Sequence, residues 1–528
     1  MSDSAAIAPV EKTHNPALII LATVLGPMIQ EIDSMVVGVA LPHMRGQFSA
    51  APDQISWVLT TFLIGVAVTM PATGPLASRF GRKKILIGAI IGFIMTSVLA
   101  GLADSLNELI ALRFIQGVFG AVLTPLSMST LLDNFRREDH GMALGWWGVG
   151  IMIAPIMGPT VGAFIAEHFT WRGVFFINVP FGLLACVVIS SNVPVRIKRD
   201  VKDFNYSGFL LIAFSAGCLQ YILDQGERLD WFDAGKIIVA SLIAGLALYG
   251  FILNTLYARN PFLDYRVLMD RNFCAGMMLK VLLSIILVSI IALLPPFLID
   301  LWDYPIITAG LVMAPRGVGV VLSVMVVGYL MKHFDSRPLM AFGMLVAAYS
   351  TWLMAGYTSS VTPWNLVVVN FIQGIGWSFL FVPLTAATFS TLNPRHMDVA
   401  AGLYGLIGNL GKSVGVSILV GFYVRDSQAN RAGLIGHVSP FNEAVQHSPL
   451  PKFWNMDGLS SLAALDAEVT RQASFMAYTN DFRLLTFIIL ACLPLVLLMR
   501  RPDTQDKEDG TGGILAEKRT KSQVKNIL

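Results

Sequence analysis

Long apolar stretches alternate with short polar loops along almost the whole chain of 528 residues. A helix that crosses a membrane needs about 20 consecutive, mostly apolar residues, and fourteen stretches meet that requirement. They lie at 17–42, 53–73, 85–103, 108–131, 142–165, 174–193, 205–225, 236–257, 273–299, 306–331, 338–357, 364–388, 398–424 and 481–499. The pattern therefore predicts an all-α integral membrane protein with fourteen transmembrane helices.

The tetrapeptide FIQG occurs twice, in the fourth and the twelfth predicted helix, and the two copies lie 257 positions apart. A second echo follows predicted helices two and ten, where GPLASRFGRKK and GYLMKHFDSR carry phenylalanines 254 positions apart. Two echoes at nearly one spacing indicate two duplicated halves of six helices, with two additional helices between them. Paired halves are typical of transporters, in which rocking of one half against the other alternates access to a shared site.

The repeat divides the chain into five parts. They are a cytoplasmic N-terminus at 1–16, an N-terminal six-helix bundle at 17–193, two additional helices with linkers at 194–272, a C-terminal six-helix bundle at 273–500 with an external loop at 425–475, and a cytoplasmic tail at 501–528. The later part of that loop has helical spacing after Asp457. It fits either a helix on the membrane surface or at a partner, or a short helix in a solvated loop.

Lysine and arginine in the loops predict the orientation, because cytoplasmic loops carry an excess of both. With the N-terminus inside, the cytoplasmic segments hold 24 of these residues and the external segments hold 8. We therefore expect a multi-pass plasma membrane protein with both termini in the cytoplasm.

Composition supports a lipid-facing surface and excludes several functions. Hydrophobic residues make up 55% of the chain and charged residues 13%, and the latter is about half the charged fraction of a soluble protein. The four cysteines lie singly inside apolar stretches, as small buried side chains do. The chain has no Walker-type loop, zinc-protease motif or hydrolase serine motif, and its N-terminus does not read as a signal peptide. We therefore expect neither an enzyme nor a bound metal or cofactor.

Six segments resemble motifs of one transporter family, in the same order. They are EIDSMVVGVALPHM at 31–44, GPLASRFGRKK at 74–84, LRFIQG at 112–117, APIMGPTVGAFIAEHFTWRGVFFINVPFG at 154–182, AGLYGLIGNLGKSVGVSI at 401–418 and QASFMAYTNDF at 472–482. The chain is similar to the major facilitator superfamily, and specifically to its fourteen-span drug:proton antiporter branch, the EmrB-like multidrug efflux permeases. The resemblance implies the superfamily fold, with two six-helix halves and two extra central helices.

The resemblance also implies a function. It implies a proton-driven antiporter that exports drug-like or other amphipathic small molecules across the bacterial inner membrane by alternating access. The alternative is an exporter or importer of one specific natural metabolite. EmrB-like proteins often join a periplasmic adaptor and an outer-membrane channel, so these are candidate partners beside substrates, protons and the lipid bilayer. No nucleic acid partner is expected.

Three positions depart from the family pattern. Ser78 stands where the loop motif usually carries an Asp, Ala163 where the antiporter motif usually ends in a second Gly, and Gly408 where the branch often has an Arg. The first departure removes a charge often credited with closing the cytoplasmic side of the outward-facing state. Lys412, one turn after Gly408, is a candidate for the missing positive charge.

Three ionisable residues are candidates for proton coupling. Asp33 lies deep in the first span, where a charge is costly and usually functional, although a structural strut is the alternative. Glu31 points about 200° away on the same helix, and is either a second proton site or a contact for cationic substrates. Arg113 stands where the repeat has Asn370, which suggests that only the first half needs a buried cation. A guanidinium favours the ionised form of a nearby carboxylate, and the resemblance implies a part in proton transfer; the alternative is an arginine that reaches water.

Two groups of residues are candidates for gating. The loop motif contains Gly74, Arg79, Gly81, Arg82 and Lys83, whose glycines frame a tight turn and whose cations also help to fix topology. The fifth predicted helix contains Gly150, Ala154, Pro155, Gly158, Pro159 and Gly162. Small residues spaced by four form one ridge that allows close helix contact. The resemblance implies a hinge that seals against proton leak, and generic close packing is compatible with it.

Deep cations in the second half leave the charge of the substrate open. Arg316 and Lys412 could pair with acids across the bundle or contact substrate, and Lys280 could extend to the membrane surface. The two acids of the first span suit cationic substrates, whereas these cations suit anions.

The charge bias makes a testable prediction about topology. In a variant without native cysteines, Asn455→Cys should react with a membrane-impermeant maleimide added to intact cells, and Lys518→Cys should be protected until the cells are permeabilised. The reverse pattern would show that the number of spans or the orientation is wrong.

Overall fold

The computed structural model describes residues 15–136, 139–194, 204–258, 261–263, 265–358, 361–392, 396–438 and 459–499. The N-terminal segment before residue 15, the middle of the predicted external loop at 439–458 and the tail from residue 500 lie outside the described residues.

Helices cover almost all of the described chain, and no strand occurs in these ranges. Thirteen of the described helices are long and apolar enough to cross a membrane, and a helix of 29 residues lies at the fifth predicted position. In chain order they are α1 (Pro16–Phe48), α2 (Asp53–Phe80), α3 (Arg82–Leu102), α4 (Leu106–Asn134), α5 (His140–His168), α6 (Gly173–Asn192), α7 (Tyr206–Gln225), α8 (Gly235–Tyr257), α9 (Arg271–Asp300), α10 (Thr308–His333), α11 (Ser336–Ala355), α12 (Pro363–Phe389), α13 (Met397–His437) and α14 (Leu459–Cys492), which a 3-10 turn continues to Leu498. The fold class expected from the sequence is confirmed.

Polar side chains cap the N-termini of several helices, at the positions where the apolar stretches begin. Asn15 accepts a hydrogen bond from the backbone N–H of Ala17 at 3.0 Å, and Pro16 suits the first helical position because its missing N–H is not needed there. Ser105 caps α4 by accepting from the N–H of Glu108 at 3.2 Å. Such caps satisfy backbone donors that a helix end leaves free, so short loops suffice between spans.

The two FIQG copies occupy equivalent places. In α4, Gly117 lies against the backbone oxygen of Phe62 in α2, and in α12, Gly374 lies against the backbone oxygen of Arg316 in α10. Neither position has room for a Cβ atom. The same glycine contact at the same helix crossing supports two related halves, α1–α6 and α9–α14.

The halves meet along two seams. At one seam α5 packs against α10, and at the other α13 packs against α2 and α4. Apolar side chains fill both, with Val149 near Val320 and Val324 at the first seam, and Leu131 near Met397 at the second. Relative motion of the halves must therefore slide or break these contacts.

The additional helices α7 and α8 lie beside the second seam. α7 packs against α2 and reaches α13, and α8 packs mainly against α7. The hydroxyl of Thr60 in α2 donates to Asp224 in α7, and Gln220 Nε2 of α7 donates to Ser413 Oγ of α13 at 2.7 Å. Leu246 of α8 is 71% exposed, as expected for a helix that faces lipid.

The last two helices extend beyond the predicted spans at 398–424 and 481–499. α13 continues to His437 and α14 begins at Leu459, so the helical spacing noted after Asp457 belongs to the start of α14. An ion pair of 2.6 Å between Arg431 and Asp466 joins the two polar extensions. Hydropathy marks where a helix meets lipid and not where its hydrogen bonds end, which is why the pattern did not include them.

Candidate functional site

Asp33 and Arg113 form an ion pair inside the N-terminal half. Both side chains are 0% exposed, and Arg113 Nη1 lies 2.5 Å from Asp33 Oδ2. The fold brings them together from positions 80 residues apart. Removing one partner of a buried pair typically costs about 3–5 kcal/mol, because the other charge is left uncompensated. The pair therefore fixes α1 against α4.

Two amides complete the surroundings of Asp33. Asn178 Nδ2 of α6 donates to Asp33 Oδ1 at 2.6 Å, and Gln116 Nε2 of α4 donates to the same oxygen at 3.1 Å. Asn178 also donates to Ser97 Oγ of α3 at 2.8 Å. The cluster thus joins four helices. Asp33 Oδ1 accepts two hydrogen bonds and Oδ2 accepts one, so both carboxylate oxygens have donors.

Arg113 is held from three further sides. Its Nε donates to the backbone oxygen of Val58 in α2 at 3.2 Å, and its Nη1 also donates to Gln116 Oε1 at 2.7 Å. The guanidinium carbon lies 4.3 Å from the centroid of the Phe62 ring, a favourable cation–π distance. Nη2 is buried and has no hydrogen-bond partner among the described residues. One donor is therefore available to a new acceptor if the pair rearranges.

The C-terminal half also holds a buried arginine, but on a different helix. The glycine contacts make Phe62 equivalent to Arg316, and the repeat makes Arg113 equivalent to Asn370. Arg316 is 5% exposed, and its Nη2 donates to Asn370 Oδ1 at 2.9 Å. The interpretation that only the first half needs a buried cation is therefore wrong, because the second half supplies its cation from α10 instead of α12.

The C-terminal half has no acid at the place of Asp33. Gly158 of α5 and Gly415 of α13 lie against the backbone oxygens of the residues just before Asp33 and Ile286. Asp33 of the first half and Ile286 of the second half are therefore equivalent positions, and both side chains are 0% exposed. The second half keeps the cation and the amide of the cluster without its carboxylate.

Glu31 points away from the cluster of Asp33, as its position two residues earlier predicts, and the structure places it toward the other half. Lys412 Nζ of α13 donates to Glu31 Oε1 at 2.7 Å and forms an ion pair between the halves. Of the two open alternatives for Lys412, the structure has the ion pair.

Lys280 of α9 lies beside this pair. It is half-buried and close enough to Glu31 and Lys412 for electrostatic interaction. Its Nζ lies 4.9 Å from the centroid of the Phe381 ring and 5.1 Å from that of Tyr404. The interpretation that Lys280 extends to the membrane surface is wrong, because these rings hold its ammonium group inside the bundle.

Ion pairs lock both seams at the same end of the bundle. Arg82 Nε lies 2.6 Å from Asp398 Oδ1 at the start of α13, and Arg82 also pairs with Asp133 at the end of α4. At the other seam, Lys332 Nζ of α10 lies 3.0 Å from Asp139 Oδ1, just before α5. We call this end of the molecule the Arg82 end. Opening it would require both seams to lose an ion pair.

Ser78 does not replace the charge of the family motif. Its hydroxyl donates to the backbone oxygen of Pro75 at 2.9 Å, within its own turn. The contact across the seam comes from Arg82 instead.

The glycines of the loop motif have two different roles. A Cβ at Gly74 would lie 2.6 Å from Val399 Cγ2 of α13, so this glycine permits close contact across the seam. Gly81 has a φ of 87° and open space around it, so it is required by the backbone of the turn. Lys83 donates to a backbone oxygen of α6 at 2.7 Å, and Arg79 is exposed.

The small residues of α5 face α1. A Cβ at Gly158 would lie 2.6 Å from a side-chain atom of α1, and one at Gly162 would lie 3.0 Å from its backbone. Gly150 also faces α1, and Ala154 is 0% exposed. The side chains of Pro155 and Pro159 lie outside the described set. The ridge brings α5 close to the helix that carries Asp33 and Glu31.

Sequence reasoning missed several residues of these clusters. Gln116 and Asn178 are polar residues inside apolar spans, and that signal could have found them. Asp133 and Asp398 lie at helix ends, where acids are common, so no local signal distinguishes them.

A helical membrane protein with two related halves, interior charge clusters and ion pairs across both seams has the architecture of a secondary transporter. Residues 23–416 match the family model of the Major Facilitator Superfamily. The chain is 31% identical over 490 residues to the multidrug export protein EmrB of Haemophilus influenzae. The aligned residues cover 92% of this chain and 96% of that protein. It is 30% identical over 493 residues to EmrB of Escherichia coli K12, covering 91% and 95%. The chain belongs to the Major Facilitator Superfamily.

A solved structure agrees with this assignment. The crystal structure of the human organic anion transporter MFSD10 (TETRAN) matches with a TM-score of 0.56 at 12% identity, covering 90% of this chain and 100% of that one, and supports the fold. The resemblance to EmrB-like permeases is confirmed. The superfamily consists of transport proteins and not enzymes, and the chain is a multi-pass protein of the bacterial inner membrane with small-molecule substrates.

The turn at Gly81 generates a testable prediction. Gly81→Val should reduce the export rate in proteoliposomes at least about tenfold, because a β-branched residue is strained at positive φ. The matched control is Gly88→Val, since Gly88 also has open space around it but no positive φ. Wild-type export by Gly81→Val at equal protein levels would contradict a gating role for the turn.

Proposed function

We propose that this protein is a proton-driven antiporter that exports drug-like, amphipathic small molecules by alternating access. The observation that carries the proposal is the Asp33–Arg113 pair, an ionisable carboxylate with a fixed cation inside the membrane-spanning bundle. The chain has no nucleotide-binding loop, so an ion gradient is the available energy source. Similarity to two proteins named as multidrug exporters supports the class of substrate.

Proton binding at Asp33 would change the packing of α1. A protonated carboxyl group loses its charge attraction to Arg113, whose Nη2 is then able to bind another acceptor. α1 also lies against the ridge of α5 and carries Glu31 at the interface between the halves. A shift of α1 would therefore reach both the first seam and the pair with Lys412.

The Arg82 end is the proposed cytoplasmic gate. The excess of lysine and arginine in the loops at this end supports a cytoplasmic location for it, with both termini on the same side. Ion pairs close both seams there, so the structure corresponds to the part of the cycle in which the cytoplasmic side is shut.

The extensions of α13 and α14 are a candidate docking surface for a periplasmic adaptor. α13 has 41 residues, which corresponds to about 60 Å of helix, roughly twice the thickness of the hydrocarbon core. Part of this length therefore projects from the membrane, paired with the start of α14 through Arg431 and Asp466. A rigid projection of this kind on the external side suits contact with another protein.

The central experiment is transport in proteoliposomes with an imposed pH gradient and a panel of amphipathic compounds. Asp33→Asn should abolish pH-driven export and substrate-induced proton movement, because an amide cannot carry the proton. Substrate exchange without a pH gradient should persist. If Asp33→Asn exchanges protons for substrate at the wild-type rate, the coupling site lies elsewhere, with Glu31 as the next candidate.

A second variant separates coupling from stability. Asp33→Asn leaves the buried Arg113 uncompensated, so its melting temperature should fall. The double variant Asp33→Asn with Arg113→Gln removes that charge and should regain part of the stability without regaining proton exchange. Recovery of proton exchange together with stability would identify Asp33 as a structural strut.

A further inference from the structure

The acids and cations of the transporter are balanced in one cluster and unbalanced in another. This difference indicates the charge of the substrate, which the proposed function leaves open. In the N-terminal half, the Arg113 cation is matched by the Asp33 carboxylate. Among the described residues at the interface, Glu31 is the acid that pairs with Lys412 and interacts with Lys280. The interface cluster of Glu31, Lys412 and protonated Lys280 carries one more positive than negative charge.

Lys280, like Arg316, has no carboxylate partner in the described ranges, but Lys280 lies beside the ion pair at the interface. The carboxylate of Glu31 already pairs with Lys412, whose Nζ lies 2.7 Å from Glu31 Oε1. In the part of the chain that the structure describes, no ion pair or hydrogen bond joins Lys280 to another residue. Its ammonium group lies over the rings of Phe381 and Tyr404. Cation–π contacts compensate only part of the desolvation of a buried ammonium group. An anion beside Lys280 would supply the rest.

The surroundings of Lys280 combine a charge with an apolar face. Phe381 is half-buried and stacks on Trp147, with ring centroids 6.4 Å apart and planes inclined by 14°. Phe381 belongs to α12 and Trp147 to α5, so the stack spans the two halves. The side chain of Lys412 is 38% exposed, so a molecule between the halves can reach this cluster. Most ligand sites share this design, with apolar walls and a few polar groups that orient the ligand.

A cation is disfavoured at the same place. It would have to displace Lys412 from Glu31, because Asp33 lies fully buried in its own cluster. The acids of the first span therefore offer no free negative charge to a cationic substrate.

We propose that Lys280 and Lys412 bind the carboxylate of an amphipathic monoanion, whose apolar body packs against the half-buried ring of Phe381. This inference rests on the proposed function, since it names the substrate class of the same transporter. One negative charge matches the single excess positive charge of the interface cluster.

Binding to the purified full-length protein tests the inference. The probes are 11-(dansylamino)undecanoic acid and its methyl ester, which differ in the charge and are followed by dansyl fluorescence. Lys280→Gln should weaken binding of the acid about tenfold, or about 1.4 kcal/mol, and leave binding of the ester unchanged. Lys280→Arg keeps the charge and should retain most of the affinity. Lys236→Gln is the matched control, because Lys236 is an exposed lysine at the start of α8.

Glu31→Gln gives an independent check. It releases Lys412 from its ion pair, so affinity for the acid should rise while affinity for the ester stays constant. Loss of acid binding in this variant would contradict the arrangement proposed for the two lysines.

Transport separates failure of the inference from failure of the proposed function. Proteoliposomes with a pH gradient receive the acid, the ester or the cationic dye ethidium. If the wild-type protein exports the ester or ethidium without preferring the acid, the proposed function stands and the inference is wrong. If it exports none of the three, both are contradicted. If Lys280→Gln stops export of the ester as well as the acid, Lys280 serves the proton path or the fold, and the inference is overturned.

Discussion

A buried charge must have a counter-charge, and the Asp33–Arg113 pair is where this protein meets that constraint most fully. The pair is inaccessible to water, and Asn178 and Gln116 hold the same carboxylate, so four helices depend on its ionised form. In a low-dielectric interior, adding a proton changes this balance strongly. Loss of the charge on Asp33 would remove the ion pair that joins α1 to α4.

α1 carries that constraint to the rest of the molecule. Its side toward the N-terminal half holds Asp33, its side toward the C-terminal half holds Glu31, and the small residues of α5 bring a seam helix against its backbone. The seams are closed at the Arg82 end by glycine contacts and by ion pairs from Arg82 and Lys332. The Lys332–Asp139 pair is partly exposed, and exposed ion pairs are weak individually, whereas the pairs of Arg82 are largely buried.

The two halves share a backbone plan and differ in chemistry. Glycine contacts at the helix crossings are the same in both, because close packing leaves little freedom in a duplicated framework. The charges are not the same. The first half has a complete acid–base pair, whereas the second has Arg316 with an amide and Ile286 in place of the acid. One half thus holds a buried ion pair, and the other holds a buried cation beside an amide.

The sequence by itself determined the features that depend on local composition and spacing. These are the spans, the duplicated halves, the small-residue ridge of α5, the tight turn at Gly81 and the presence of Asp33 and Arg113 inside helices. Only the tertiary structure decided which charges meet. Glu31 pairs with Lys412 from 381 positions away, and Lys280 turns inward to two rings. Hydropathy specifies that a residue is costly in lipid, but its partner is chosen by helix packing between distant segments, which no local pattern records.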